Sequence, residues 1–357
     1  MKTILYNLVT DKAKGPVAGL GKALLFILSL AYSLIVRALR GAYRLRPYRL
    51  KCRVISVGNI TLGGTGKTTV VEFIARYLTQ QGHKVAILSR GYKRRSLSSD
   101  QGAGTFRAMG DEPYMLMKNL EGVPVIVDKN RIRGAHRAIR EHEVDTVILD
   151  DGFEQWKLKK DLEVVAIDAT NPFGNRFLLP RGVLREPLSS LAQADIFVVT
   201  KTNLNPHLGA IKEALLRINP AAPIIESVHS PMGFYELGSK ESMLGPRALN
   251  GKTVALVSGI GDPASFETMM KGLGLAIGLC FRFPDHHAYT STELQNIVQQ
   301  ARSKHIDTLV TTEKDAVRLD ALRITQEQMR VVVVRIELQL MNNEKEFIRR
   351  LHNVYSL

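Results

Sequence analysis

One stretch limits the folds open to this chain more than any other: RVISVGNITLGGTGKTTVVEFIARYLTQQG, residues 53–82. Its hydrophobic period changes in the middle. RVISVG is a short β-branched run with the character of a buried strand, whereas VVEFIARYLTQQG sets apolar residues at helical spacing. Between them, Gly63, Gly64 and Gly66 free the backbone to turn N–H groups toward an anion. The helix behind adds the partial positive charge of its N-terminus. Strand, glycine loop and helix in this order predict a phosphate-binding loop, in which Lys67 reaches the β/γ-phosphates and Thr68 puts its hydroxyl on Mg²⁺. The loop begins irregularly, because counting back from Gly66 puts Thr61 where the usual first glycine would stand.

Beyond the loop the same alternation repeats. KVAILS, VPVIV, DTVILD, LEVVAID and ADIFVVT are near-continuous apolar runs, as expected of strands buried on both faces of a parallel sheet. Amphipathic segments separate them, so the expected fold is a P-loop-containing doubly wound α/β domain over residues 54–245. After the less regular SVHSPMGFYELGSKESMLGPRALNG, strands resume at KTVALVSG, DTLVTT and RVVVVRI. They suggest a second, smaller α/β domain over residues 246–357. The 357 residues, 45% hydrophobic, suffice for two cores. Cys52 and Cys280 cannot build a disulfide framework and have no metal-ligand spacing around them, which points to a reducing compartment and away from structural zinc.

Charge is concentrated at one end. The net charge is +15, yet residues 1–53 hold eleven Lys/Arg against the single acid Asp11. Nucleic-acid binders show basic patches with aromatic platforms or a reading helix. Here the charge flanks an apolar segment instead, so no nucleic-acid partner is expected. VAGLGKALLFILSLAYSLIV, residues 17–36, is broken only by Lys22 and is followed by RALRGAYRLRPYRLKCR. No small-residue cleavage site precedes that basic run, as a signal peptide would require. The alternatives are a buried core helix or a helix at or in a bilayer with its arginines on an anionic membrane surface. The basic flank favours the second, with the body of residues 54–357 on the cytoplasmic face.

Ligands of open parallel sheets gather at the carboxyl ends of the strands, and several clusters sit there. VILDDGFEQ ends a strand with Asp150 and Asp151, where P-loop enzymes hold Mg²⁺ opposite the loop hydroxyl. LSRGY offers Arg90 and Tyr92, and DKNRIRG offers Arg131 and Arg133. GDEP places Asp111 and Glu112 before Pro113 at a helix start. FPDHHAY brings Asp285, His286 and His287 together after an apolar run.

Taken in order, GNITLGGTGKT, SRGY, GDEP, DDGFEQ, FGNRFLLPRGVLREP, DHH and TTEKDAVRL behind an apolar, basic N-terminal helix resemble the tetraacyldisaccharide 4'-kinase family of lipid A biosynthesis. The resemblance spans nearly the whole chain. It implies transfer of the ATP γ-phosphate to the 4'-hydroxyl of a tetraacylated glucosamine disaccharide 1-phosphate at the inner membrane of Gram-negative bacteria. It assigns Gly63, Gly64, Thr65, Gly66, Lys67, Thr68 and Thr69 to ATP, with Thr68, Asp150 and Asp151 at the metal. Asp111 and His286 become a catalytic dyad beside Lys67, and Arg90, Tyr92, Arg131 and Arg133 lie near the lipid substrate or the phosphates. Two positions depart from the family pattern: Thr69 stands where proline is common, and Glu154 where glutamine is usual. Because the dyad residues fall in different expected domains, closure of the two would be needed to assemble them.

Other classes fit less of the chain. A membrane-associated ParA-like ATPase would carry a lysine where Leu62 stands, and the TKTN of residues 200–203 lacks the aspartate with which GTPases read guanine. SGIGDPA is a loose dinucleotide fingerprint that leaves the glycine loop unexplained.

Overall fold

The computed structural model describes residues 2–91, 109–320 and 329–356. The chain forms two compact units. One comprises Met1–Arg90, Asp128–Val228 and Leu340–Leu357, the other Gly91–Val127 and His229–Gln339. The expected single cut at residue 246 is therefore replaced by four crossings, after residues 90, 127, 228 and 339.

The first unit is a parallel sheet built on the apolar runs. Its strands are β1 (Arg53–Gly58), β2 (Val85–Ser89), β4 (Thr146–Asp150), β5 (Leu162–Asp168) and β6 (Ile196–Thr200), ordered β6-β5-β1-β4-β2. The short strand β3 (Val125–Val127) belongs to the second unit. Every residue of β2, β4, β5 and β6 is buried, which is why these strands read as unbroken hydrophobic runs rather than alternating ones. β1 lies between β4 and β5, with Val57 level with both Asp150 and Val164. All five strands run the same way, so one edge collects Asn59, Ser89, Asp150, Asp168 and Thr200. Phe153, Val165, Phe197, Val199 and Leu215 pack one core of this unit.

The second unit orders β10 (Ala276–Arg282), β9 (Thr253–Ser258), β11 (Thr308–Thr312) and β12 (Arg330–Leu340) in parallel, next to the later part of β7 (Ile224–Glu236). β8 (Ser239–Leu244) pairs antiparallel with β7. The segment that looked irregular in sequence is thus a long strand and a hairpin. Pro231 and Gly233 interrupt its pattern, and only glycine fits at 233, where a Cβ would stand 2.1 Å from the Leu244 carbonyl oxygen. β10 also lacked a strand signature, because its residues alternate between exposed and half-buried.

At the N-terminus, helix Pro16–Leu45 starts with proline in its first turn and carries an 18-residue window of mean hydropathy 1.9, only 17% of it buried. It is long and apolar enough to cross a bilayer.

Candidate active site

In the first unit, the chain leaves β1 through Asn59 and enters the loop as a short antiparallel ladder with residues 183–185. Leu62 N–H donates to the Val183 carbonyl at 2.8 Å, Arg185 N–H to the Ile60 carbonyl at 2.7 Å, and Thr61 bridges Leu184. This explains the missing first glycine: at Thr61 the backbone is extended and paired, a conformation that needs no glycine. Gly63 (φ 118°) and Gly66 (φ 78°) take the left-handed turns that follow. Helix Lys67–Gln80 starts at once behind Gly66 with no side chain capping its N-terminus, leaving its first N–H groups for an anion. Thr69 donates its hydroxyl to the Gly66 carbonyl at 2.7 Å, so the departure from proline gains a local bond.

The strand-end acids close on this loop. After β4 the chain turns through Asp151 (φ 57°) and passes over β1 so tightly that a Cβ at Gly58 would stand 2.5 Å from the Phe153 nitrogen. That approach brings the Asp151 carboxylate 3.5 Å from Lys67 Nζ, whose ammonium also donates to Asn59 Oδ1 at 2.9 Å. Arg185 grips the same carboxylate with two bonds of 2.8 and 2.9 Å, bonds Asn59 as well, and pairs with Glu154 at 3.1 Å. Burial alone would raise the Asp151 pKa, but the hydrogen bond from Arg185 and the charge of Lys67 hold it well below the usual carboxylate range. Glu154 shifts the other way, pushed up by burial and by the neighbouring Asp151 and Glu186 against the pull of Arg185. Arg185 offsets the burial of this extra carboxylate only in part.

Asp150 is buried, accepts from the Ser89 hydroxyl at 3.2 Å, and is braced from behind by Arg131, which donates to its carbonyl oxygen at 3.1 Å. Thr68 is buried at the loop's helix start. A hydroxyl and one or two carboxylates, all hard oxygen donors, fit Mg²⁺. Asp150 suits it better than Asp151, both of whose oxygens already face Arg185. Among the described residues no group of three His, Cys, Asp or Glu could form an all-protein metal cage.

The expected substrate contacts separate. Arg131 points inward, 3% exposed, and holds the Asp128 and Asp150 main chain. Arg133 lies on the surface and grips Asp128 at 2.7 and 2.8 Å. Arg90 is exposed directly after β2. Tyr92 lies outside the described residues.

In the second unit, Asp111 opens helix Asp111–Asn119 behind Gly110, and its Oδ2 lies 2.9 Å from His286 Nδ1. Both residues belong to this one unit, so the expectation that two domains must close to assemble the dyad is corrected. His286 occupies a left-handed turn (φ 59°), a conformation that costs a non-glycine residue about 1 kcal/mol or more. The turn is held by Arg318. This 6% exposed side chain donates to the carbonyls of Gly259 at 3.2 Å and His287 at 3.0 Å, and the Gly259 carbonyl also accepts from the His286 N–H at 3.1 Å. Arg318 also pairs with Asp111 at 3.2 Å and with fully buried Asp315 at 3.1 Å. Asp315 in turn accepts from Tyr289, Thr312 and the Gly259 N–H. Lys314 pairs with Glu112, which directs that acid toward a lysine. His287 turns away, stacked on Phe283 and bonded to Glu293 at 3.1 Å.

Asn59, Arg185, Asp315 and Arg318 hold these networks together and have no role of their own in the sequence analysis. They sit in GNITLGG, LREP and TTEKDAVRL, but nothing local marks what they touch.

A phosphate loop with its lysine, strand-end carboxylates and a carboxylate–imidazole pair are the parts of a P-loop phosphotransferase. The chain belongs to the LpxK family, Tetraacyldisaccharide-1-P 4'-kinase, whose profile matches residues 21–356. It is 36% identical over 367 residues to tetraacyldisaccharide 4'-kinase of Halothermothrix orenii, covering 95% of this chain and 94% of that one. It is also 36% identical over 339 residues to the protein of the same name from Anaeromyxobacter sp. strain K, covering 92% and 89%. The crystal structure of an "apo" form of LpxK from Aquifex aeolicus in complex with ATP superimposes with a TM-score of 0.73 at 28% identity, covering 94% of this chain and 99% of that chain.

Proposed function

We propose that Asp111 and His286 accept the proton of the sugar hydroxyl while Lys67 and its loop hold the nucleotide. The reaction is that of a tetraacyldisaccharide 4'-kinase: the 4'-hydroxyl oxygen attacks the γ-phosphorus of ATP, the bond from γ-phosphorus to the β–γ bridging oxygen breaks, and ADP leaves. The observation that carries the mechanism is the 2.9 Å contact between His286 Nδ1 and Asp111. With Nδ1–H donated to that carboxylate, Nε2 carries the lone pair that takes the hydroxyl proton, and Asp111 stabilises the resulting imidazolium. Lys67, Gly63, Gly64, Thr65, Gly66, Thr68 and Thr69 form the ATP cradle, where the loop N–H groups and the lysine face the phosphates. Thr68 and Asp150 would hold Mg²⁺, which would supply positive charge to offset that of the phosphates. Arg90 faces the phosphates or the lipid from the end of β2.

The exposed apolar side chains of helix Pro16–Leu45 support a membrane-bound enzyme, and the basic segment after it supports binding to anionic lipid at the cytoplasmic face of the inner membrane. The test is incubation with γ-labelled ATP, Mg²⁺ and a micellar glucosamine disaccharide 1-phosphate. Label should appear on the lipid, whereas hydrolysis without transfer would return the chain to the ATPase class.

A further inference from the structure

Helix Pro16–Leu45 has inverted amphipathicity. Val17, Leu20, Leu24, Ile27, Leu34 and Ile35 are exposed, while the stripe turned toward its own unit carries Ser29, Ser33 and Val36 together with half-buried Tyr32 and Arg40. A soluble helix has the opposite arrangement. The inward stripe is not idle packing, because two of its residues reach the segment that pairs with the phosphate loop. The Tyr32 hydroxyl donates to the Arg185 carbonyl at 2.8 Å. Arg40 donates to the Ser190 hydroxyl and lies 3.7 Å from Glu186, a 1% exposed carboxylate that also accepts from the Trp156 indole at 2.7 Å. Nearer the helix start, Asp11 pairs with Arg181 at 2.7 Å and with Lys22 at 2.8 Å. The segment is therefore tied to the helix at Arg181, Arg185 and Glu186.

Arg185 carries that tie inward. Its main chain is pinned between Tyr32 and the Ile60 carbonyl, and its guanidinium holds Asp151 and Asn59, the two residues that hold Lys67. A bidentate guanidinium–carboxylate pair tolerates little displacement, and small misplacements at a reacting site are costly.

We propose that the apolar helix braces the nucleotide site as well as anchoring the protein, with Tyr32 and Arg40 as positioning residues that act on Lys67 through Arg185. This rests on the reading of Lys67 as the nucleotide's lysine. An anchor alone would leave ATP affinity indifferent to the helix. A brace ties the two together, and they can be pulled apart by face.

The experiment compares full-length variants in detergent micelles and on phosphatidylglycerol-containing vesicles. Tyr32→Phe/Arg40→Gln alters only the inward stripe and should lower ATP affinity and kcat/KM for ATP about tenfold, with vesicle retention unchanged. Leu24→Gln/Ile27→Gln/Leu34→Gln alters only the outward face and should release the protein from vesicles with ATP affinity kept. Lys67→Ala is the benchmark and should abolish turnover. Tyr32→Phe alone, a change of one hydroxyl, should still give a loss of about threefold if the double variant folds poorly. Arg40→Lys, which keeps a cation beside Glu186, should recover part of the Arg40→Gln loss. Unchanged ATP affinity in the inward variants, with Lys67→Ala inactive, overturns the brace alone. An active Lys67→Ala protein overturns the brace together with the nucleotide reading.

Discussion

Arg185 and Arg318 are both nearly buried, and each meets a carboxylate beside a residue of the proposed chemistry, but they use their donors differently. Arg185 faces side chains: Asp151, Glu154 and Asn59. Arg318 faces mostly main chain, bonding the carbonyls of Gly259, His287 and Lys314 before it reaches Asp111 and Asp315. The first arrangement balances charge. Lys67 and Arg185 stand against Asp151 and Glu154, and the two cations hold the Asp151 carboxylate ionised. The second arrangement builds a frame for a strained turn, in which two carboxylates, Asp111 and Asp315, share one guanidinium.

The comparison breaks first at the loop. Lys67→Ala removes the cation at the transferring phosphate and should abolish lipid phosphorylation in a protein that still folds. Near-normal label transfer would remove the nucleotide role from this unit. At the dyad, His286→Ala should lower kcat by about 10² to 10⁴ with ATP binding retained. His287→Ala, whose ring is occupied by Phe283 and Glu293, should cost far less. Equal losses at the two histidines would mean that the turn matters and not its ring at 286.

The frame itself is tested by stability. Arg318→Met strands Asp111 and Asp315 without their cation and should destabilise the protein by about 3–5 kcal/mol, read by denaturant unfolding. A shift within error would show that the buried pair is not what holds the turn. The smallest effect should come from Arg133→Ala: its partner Asp128 is kept below the ordinary carboxylate range by that exposed pair, but the pair is solvated. Stability and kcat should stay near wild type, and a large rise in the lipid KM would restore Arg133 to the substrate site.

The first unit was more legible in the sequence than the second, for a physical reason. A glycine loop between strand and helix declares itself within a dozen residues, and acids at a strand's end lie where ligands gather. The Arg185–Asn59 bond joins residues 126 apart and the His286–Asp111 contact joins residues 175 apart, so no local pattern encodes either. The dyad was available only through the family's motif order, and its placement in one unit was hidden because the chain crosses between units at residues 90 and 127. The opposed fates of Arg131 and Arg133 could have been anticipated. Two positions apart on a helix, side chains do not share a face.

If Asp111 and His286 act as one proton-accepting pair, their losses cannot be independent, and a double variant shows whether they are. Steady-state kcat would be measured for Asp111→Asn, His286→Ala and Asp111→Asn/His286→Ala with saturating ATP and micellar lipid. If the pair is one unit, both singles fall by about 10² to 10⁴ and the double loses little more than the worse single. If the two losses multiply, the residues do separate jobs and the 2.9 Å contact is not the catalytic one.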